Sequence, residues 1–213
     1  MSPSLSFLTF ILVFVGGYFV GSFPTAYLLV RSKSGVDIRR EGSGNVGGFN
    51  AFVVTSSKQT GFVVGIIDGL KGLVVAGAAS LLASDSFWIQ AVALLAAILG
   101  HNYPVWLRFK GGRGLATAAG GFFTIGVSYT IAWCVTWFLV YSRSRNIMRG
   151  NIVAIVLTPV ILALLPERWI EVAMIRSVPA TAYREFAVVL STVLFVSHLD
   201  GIKESFSNRA IHE

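Results

Sequence analysis

Between Gly100 and Thr117 the chain reads GHNYPVWLRFKGGRGLAT, a stretch whose residue types suit the binding of an anion. It holds His101, a helix-breaking Pro104, the cations Arg108, Lys110 and Arg113, and the glycine pair Gly111 and Gly112. Apolar segments flank it on both sides, so a membrane helix should end here, the chain turn, and the next helix begin near Gly114. Glycines ahead of a helix leave backbone N–H groups uncovered beside the positive end of the helix dipole. With Lys110 and Arg113 adjacent, these groups would form a pocket for an oxyanion, most simply a phosphate. A basic turn whose glycines only bend the chain would have the same composition.

A second stretch repeats that chemistry upstream. RSKSGVDIRREGSGNVGGFNAF carries Asp37, Arg39, Arg40 and Glu41, then Gly42, Ser43, Gly44, Asn45, Gly47, Gly48 and Asn50. Small residues interleaved with two asparagines expose backbone donors and side-chain amides together, the composition of an anion-binding nest. A flexible linker is equally glycine-rich, but has little use for asparagine and arginine at this density. The sequence therefore reads more as an oxyanion-binding loop than as a linker, with Arg39, Ser43, Gly44, Asn45, Gly47 and Asn50 as its candidate residues.

The elements that must hold these loops are membrane helices. Of 213 residues 54% are apolar and 13% charged, and runs such as 5–30 and 87–99 contain no acid or base, which soluble cores rarely allow. The net charge of +7 fits a bias of cations toward cytoplasmic loops and needs no nucleic-acid partner. The first apolar run has no cationic stretch ahead of it and further spans behind it, so it reads as a membrane helix and not a cleaved leader. The single cysteine, Cys134, lies in an apolar run, so it reads as packing, and no intrachain disulfide is available.

Seven spans fit: 5–29, 60–83, 87–100, 114–127, 129–142, 151–165 and 186–198. Several fall short of the ~20 residues that cross a bilayer unaided, so tilted or partly re-entrant helices are expected. The stretch 114–142 reads as one long helix or as two short ones joined near 127–129. Charge favours two. The basic segments 31–58, 108–113 and 143–149, and the tail with Lys203 and Arg209, then share one side. The other side takes Asp85 and the segment 166–185, where Arg168, Arg176 and Arg184 alternate with Glu167, Glu171 and Glu185. The expectation is an all-α integral membrane protein, a single domain over 1–213, with its N-terminus outside and its C-terminus and motif loops in the cytoplasm.

Within these spans a few polar residues stand out. Gly21, Ser22 and Pro24 close the first span and read as close-packing and kink residues. Asp68 and Lys71 lie three residues apart on one helix face, and ionisable groups in a span usually face a polar interior. Trp133, Trp137, Phe138 and Tyr141 on the fifth span read as lipid-facing or interfacial, and Asn151 opens the sixth. His101 and His198 both fall at cytoplasmic helix ends; His212, in the polar tail, is given no role. There is no H-E-x-x-H, cysteine cluster or P-loop ending G-K-[ST], so neither a tightly held metal nor another cofactor is expected. Neither Ser22 nor Ser43 has a recognisable base in sequence, which speaks against a covalent nucleophile. A site of this kind suits a substrate that brings its own activation. An acyl phosphate does so, being a mixed anhydride with phosphate as leaving group. The protein then mainly positions a hydroxyl and neutralises charge.

The same residues carry a resemblance along nearly the whole chain. GSFPTAYLL, Asp37-Ile38-Arg39 with GSGNVGGFN, the Asp68…Lys71-Gly72 step, GHNYPVWLRFKGGRGLAT and Ser197-His198 resemble the motifs of the bacterial acyl-phosphate:glycerol-3-phosphate acyltransferases, the PlsY family. The resemblance implies a seven-span inner-membrane enzyme that moves a fatty acyl group from acyl phosphate to the 1-hydroxyl of glycerol 3-phosphate. Its products are lysophosphatidic acid and phosphate, made without acyl-CoA or a metal. It further implies that Arg39, Ser43, Asn45 and Asn50 bind substrate phosphates and that Lys110 and Arg113 neutralise them. His101 and His198 would orient the attacking hydroxyl or take its proton. The chain departs from the family pattern at Phe49 for Thr, Arg113 for Lys, Asn151 for Ser, Leu199 for Arg and Gly201 for Asn. The rival expectation is a membrane protein that binds lipid or a phosphometabolite and has kept the fold without turnover. A small anion transporter is weaker, since no inverted pair of broken helices shows.

Overall fold

The computed structural model describes residues 3–82, 86–175 and 178–202. Asp85, Arg176, Lys203, Arg209 and His212, invoked above for topology or tail, lie outside them. The described residues are almost wholly helical, with one isolated β-bridge between Gly126 and Met174. The chain forms two compact units, 1–124 and 125–213.

The first unit is built on α1 (Pro3–Gly21), α2 (Thr25–Ser34), α3 (Gly48–Thr55), α4 (Lys58–Leu82), α5 (Phe87–Asn102) and α6 (Leu115–Ile125), whose last residue crosses the boundary. The apolar run expected as one span, 5–29, is two helices. Pro24 cannot donate to the preceding turn, so the chain breaks at Phe23-Pro24 and resumes as α2. The helices approach through small residues. A Cβ on Gly21 would collide with Ala97 O, one on Gly17 would lie 2.7 Å from Ala93 O, and one on Gly100 would collide with Tyr18 O. These contacts bring α1 and α5 backbone to backbone, the packing expected where lipid removes the hydrophobic drive between helices. Gly72 against Thr117 O and Gly120 against Gly69 O do the same for α4 and α6.

The second unit holds α7 (Ser128–Ser144), α8 (Ile147–Leu164), α9 (Glu167–Val172) and α10 (Ala180–Val196). The break between α6 and α7 at Gly126-Val127 settles the long-helix alternative in favour of two helices. There Tyr183 donates from its hydroxyl to Gly126 O at 2.9 Å and accepts from Tyr129 N–H at 3.0 Å, while Tyr129 O–H meets Ser191 Oγ at 2.8 Å. Arg184 closes the C-terminus of α8 by donating to Leu162 O at 3.0 Å and Leu165 O at 2.7 Å, and it pairs with Glu167 at 3.3 Å. A cation on the last carbonyls of a helix satisfies both their lone pairs and the dipole.

Among the described residues four helical stretches are long and apolar enough to cross a membrane: Phe7–Ser34, Lys58–Leu82, Phe87–Leu107 and Ile147–Leu164. Since α6, α7 and α10 are shorter, the count of seven spans is approximate. Large apolar side chains such as Phe7, Leu12, Phe62, Val74 and Phe138 stand exposed, as a lipid-facing surface requires.

Several boundaries and roles differ from the sequence reading. The sixth span begins at Ile147, not 151, because Asn146 caps it by accepting Arg149 N–H at 3.0 Å; Asn151 is buried one turn inside. The seventh is α10, ending at Val196. Trp133, Trp137 and Tyr141 stack on one another, with centroids 6.2 and 4.8 Å apart, and Gly150 lies against the Trp137 ring. Trp137 therefore packs the α7–α8 pair and the other two rings stack along it, half-buried, while Phe138 is exposed. Cys134 is exposed and not packing.

Candidate active site

In the first unit the two motif loops are one structure. Val46 N–H donates to Gly111 O at 3.2 Å, joining the glycine-rich segment 42–48 to the segment 104–114. Arg39 reaches across the same seam. Its guanidinium donates to both Asp37 carboxylate oxygens, at 2.7 to 3.2 Å, and to Leu107 O at 3.2 Å. It also lies 5.2 Å from the Tyr27 ring centre. The arginine expected to grip phosphate is thus held as a fastener between loops. The Arg39 hydrogen bonds, offset in part by burial, hold the Asp37 carboxyl down at about 2 against an ordinary 3.8. A depressed carboxyl stabilises the fold fully above 3.8 and loses that contribution as pH falls from 3.8 to about 2. Carboxyl-carbon NMR should place the Asp37 midpoint near 2, and Arg39→Gln should return it to the ordinary range; a midpoint that ignores Arg39 would contradict the fastener.

Asn50 is likewise internal. Its side-chain oxygen accepts Ser43 N–H at 3.0 Å, and its amide donates to Ile38 O, Glu41 O and Asn45 O at 3.0 to 3.3 Å. It is 2% exposed, and its donors shape the loop rather than offer themselves to a ligand. Gly111 and Gly112 N–H donate to Asn102 O and His101 O, so these glycines serve close approach and not anion binding. Of the candidate site residues, Ser43 and Lys110 are exposed and Asn45 and Arg113 half-buried, and the segments that hold them lead into the first turns of α3 and α6. By helix geometry those turns carry N–H groups without a partner in their own helix. The segment 48–55, expected as loop, is α3. It forms because Gly48 lets the chain pack on α4, where a Cβ would lie 2.7 Å from Gly61 O.

Beneath the joined loops lies a buried polar centre. Lys71 donates to Asp68 at 2.7 Å and to Phe23 O at 2.5 Å, the carbonyl exposed by the break before Pro24. The pair is 6% and 3% exposed at its side chains, so Asp68 and Lys71 face the interior. His101 presents its two ring edges differently: Nδ1 lies 3.7 Å from Asp68, and Nε2 abuts Gly112, where a Cβ would collide with it. Such a Cβ would also lie 2.8 Å from Val46 O, so the imidazole sits directly under the seam of the loops. Ser22 and Thr25, absent from the predicted site, border the same centre. Only their place beside a helix break hints at it in sequence.

In the second unit His198 is fully buried, donating from Nδ1 to Leu194 O at 2.7 Å. That bond fixes the proton on Nδ1 and leaves Nε2 as the basic nitrogen. Gly201 sits in a helical turn, buried, and Phe49 stands 57% exposed on α3.

The first unit also carries an apolar groove of about 260 Å³ between α1, α4 and α5, bounded by residues such as Leu12, Gly16, Val20, Val74 and Leu82. Val20 and Val74 lie nearest in sequence to Ser22 and Lys71. From Val20 to Leu12, and from Val74 to Leu82, the groove follows two helical turns, about 12 Å at the helical rise.

The chain has known relatives. Residues 11–208 match the family described as Glycerol-3-phosphate acyltransferase. The chain is 33% identical to the glycerol-3-phosphate acyltransferase of Geotalea daltonii, covering 91% of this chain and 92% of that one. It is 36% identical to that of Geobacter sulfurreducens, over 87% and 88%. Glycerol-3-phosphate acyltransferase 5 of Dehalococcoides mccartyi is 50% identical over 116 residues, and there the match spans about half of each protein, 53% and 48%. Among solved structures it is similar to PlsY, an integral membrane glycerol 3-phosphate acyltransferase. To the glycerol 3-phosphate form the TM-score is 0.77 at 26% identity, covering 94% of this chain and 93% of that one. To the lysophosphatidic acid form it is 0.75.

Proposed function

Since the chain belongs to the glycerol-3-phosphate acyltransferase family and is an integral membrane acyltransferase acting on glycerol 3-phosphate, we propose that its acyl donor is an acyl phosphate and its acceptor the 1-hydroxyl. The observation that carries this reading is the pair of motif loops fastened at Val46–Gly111, with two helix N-termini and the cations Lys110 and Arg113 beside them. Both substrates bring a phosphate, and this is a surface for phosphate. The acceptor oxygen attacks the acyl carbon, the C–O bond to phosphate breaks, and phosphate leaves. Lys110 and Arg113 neutralise the growing charge, and Ser43, Asn45, Gly44 and Gly47 position the phosphates. Either His101 or, in the second unit, His198 orients the hydroxyl or takes its proton, and the departing phosphate is a base in its own right. No metal or cofactor enters this scheme. The protein acts as a single acyltransferase domain in the bacterial inner membrane, with N-terminus outside and motif loops and C-terminus cytoplasmic.

The groove between α1, α4 and α5 takes the acyl chain. Its 12 Å covers most of the ~15 Å that one leaflet's chains occupy in a 30 Å hydrocarbon core, and it starts one turn from the polar centre. Gly16 bounds it with nothing within 4 Å of a Cβ. Gly16→Leu should therefore fold normally and shift preference to shorter acyl phosphates. Buried methylenes contribute about 0.8 kcal/mol each, so losing three or four lowers kcat/KM for the longest donors by on the order of a hundredfold. Unchanged chain-length preference would remove the groove from the account. The donor itself is tested with purified protein, glycerol 3-phosphate and either palmitoyl phosphate or palmitoyl-CoA. Lysophosphatidic acid and phosphate should appear with the first alone; product from palmitoyl-CoA would overturn the donor.

A further inference from the structure

We propose that a single ordered water links His101 to Asp68, held by the hydroxyls of Ser22 and Thr25, which makes those two residues positioning residues for the imidazole. Three independent observations meet at this point. First, His101 Nδ1 stands 3.7 Å from the Asp68 carboxylate oxygen, too far for a direct hydrogen bond and a distance that a bridging water accounts for. Second, a cavity of about 10 Å³ opens beside that gap, bounded by Ser22, Thr25, Asp68, Lys71 and His101 among others. That is the room one water needs. Third, the hydroxyl oxygens of Ser22 and Thr25, at 0% and 3% exposure, meet no hydrogen-bond partner among the described residues. Buried hydroxyls without a partner are costly, and a polar cavity with several such groups is where structural water sits.

The hydrogen-bond count of one water closes on these groups. It accepts from His101 Nδ1–H and from one of the two hydroxyls. It donates to Asp68 and to the other hydroxyl. Asp68 also accepts from Lys71, whose second bond to Phe23 O at 2.5 Å keeps the ammonium and carboxylate in place. The consequence is a fixed tautomer. With the proton on Nδ1 directed through water to a carboxylate, Nε2 carries the lone pair, and Nε2 is the edge turned to Gly112 and the loop seam. The arrangement is a histidine oriented by an acid at one remove, and it prepares the edge facing the substrate side as acceptor. This rests on the proposed role of His101 in handling the acceptor proton.

The test uses the full chain with ¹⁵N-labelled histidine in lipid bilayers, His101 being assigned against His101→Asn. In the wild type His101 should show the Nδ1–H tautomer, with a cross-peak from Nδ1–H to a water proton. The double variant Ser22→Ala/Thr25→Val should lose that cross-peak and show mixed tautomers. Its kcat should fall about tenfold, the scale of one lost supporting hydrogen bond, with KM for both substrates little changed. Thr25→Ser, which keeps a hydroxyl, should retain the wild-type spectrum and rate. The proposal is overturned if wild-type His101 shows no water contact, which stands even if the double variant does not fold. An unchanged His101 spectrum in a folded double variant would also overturn it. The spectra need no turnover, so failure of the acyl-transfer assay leaves this test intact, and a working assay with unaltered spectra removes the water alone.

Discussion

Lys71→Met should melt well below the wild type and lose turnover. The substitution keeps the length and apolar stem of the side chain but removes the donor to Asp68 and to Phe23 O. Breaking a buried pair by deleting one partner leaves an uncompensated charge, costing about 3 kcal/mol or somewhat more. For a chain of this size that is a fall in Tm of roughly 10 °C. The same ammonium ties α4 to the break between α1 and α2, since Phe23 O accepts from it as well as from Thr25 N–H at 3.0 Å. Adding Asp68→Asn to Lys71→Met should recover part of the stability by removing the stranded charge. It should not recover activity, since the carboxylate beside His101 is then gone as well. A Lys71→Met protein with wild-type melting and turnover would mean the pair is incidental.

Gly112→Ala should abolish most activity while leaving the bundle folded. Its new methyl group would collide with His101 Nε2 and crowd Val46 O at 2.8 Å, so the imidazole, the loop seam or both must move. A displacement of about 1 Å at reacting groups costs on the order of a hundredfold in rate. Overpacking of this kind costs about 1–3 kcal/mol of stability, less than the Lys71 change, so circular dichroism and kcat should separate. Nearly wild-type turnover in Gly112→Ala would show that the His101 edge facing the loops is not part of the site.

Much of this architecture is legible in the residues. A break near 127–129 is the reading that the charge bias of the loops favours over one long helix, and the structure has α6 and α7. Asp68 and Lys71 share a helix face by spacing alone, and both are buried. The outward roles of Arg39 and Asn50 were legible only as residue types. Both asparagines of GSGNVGGFN have the same chemistry in sequence, yet Asn50 spends every donor inside the loop and Asn45 does not. What decides between them is the folding of 48–55 into α3, and that helix comes from Gly48 packing on Gly61. Glycine content argues for a loop until the neighbouring helix is known. Ser22 reads in sequence only as a packing and kink residue, and Thr25 only as part of a motif, for a related reason: small hydroxyl residues are ordinary in membrane helices, and only the cavity beside Asp68 gives these two a purpose. The glycines Gly111 and Gly112 show the reverse error, since nest composition is the same whether the N–H groups face a ligand or two carbonyls of the preceding helix.

The central claim is that the fastened loops, through Ser43 and Asn45, hold substrate phosphate during acyl transfer. Turnover of palmitoyl phosphate and glycerol 3-phosphate by Ser43→Ala and Asn45→Ala, singly and together, tests it most directly. The Ser43 side chain is exposed and its backbone N–H is already tied to Asn50, so truncation leaves the loop standing. Each loss of a preorganised donor should lower kcat by about a hundredfold, roughly 3 kcal/mol of transition-state stabilisation, with melting unchanged. Undiminished acyl transfer by both single variants and the double would place the phosphate site elsewhere.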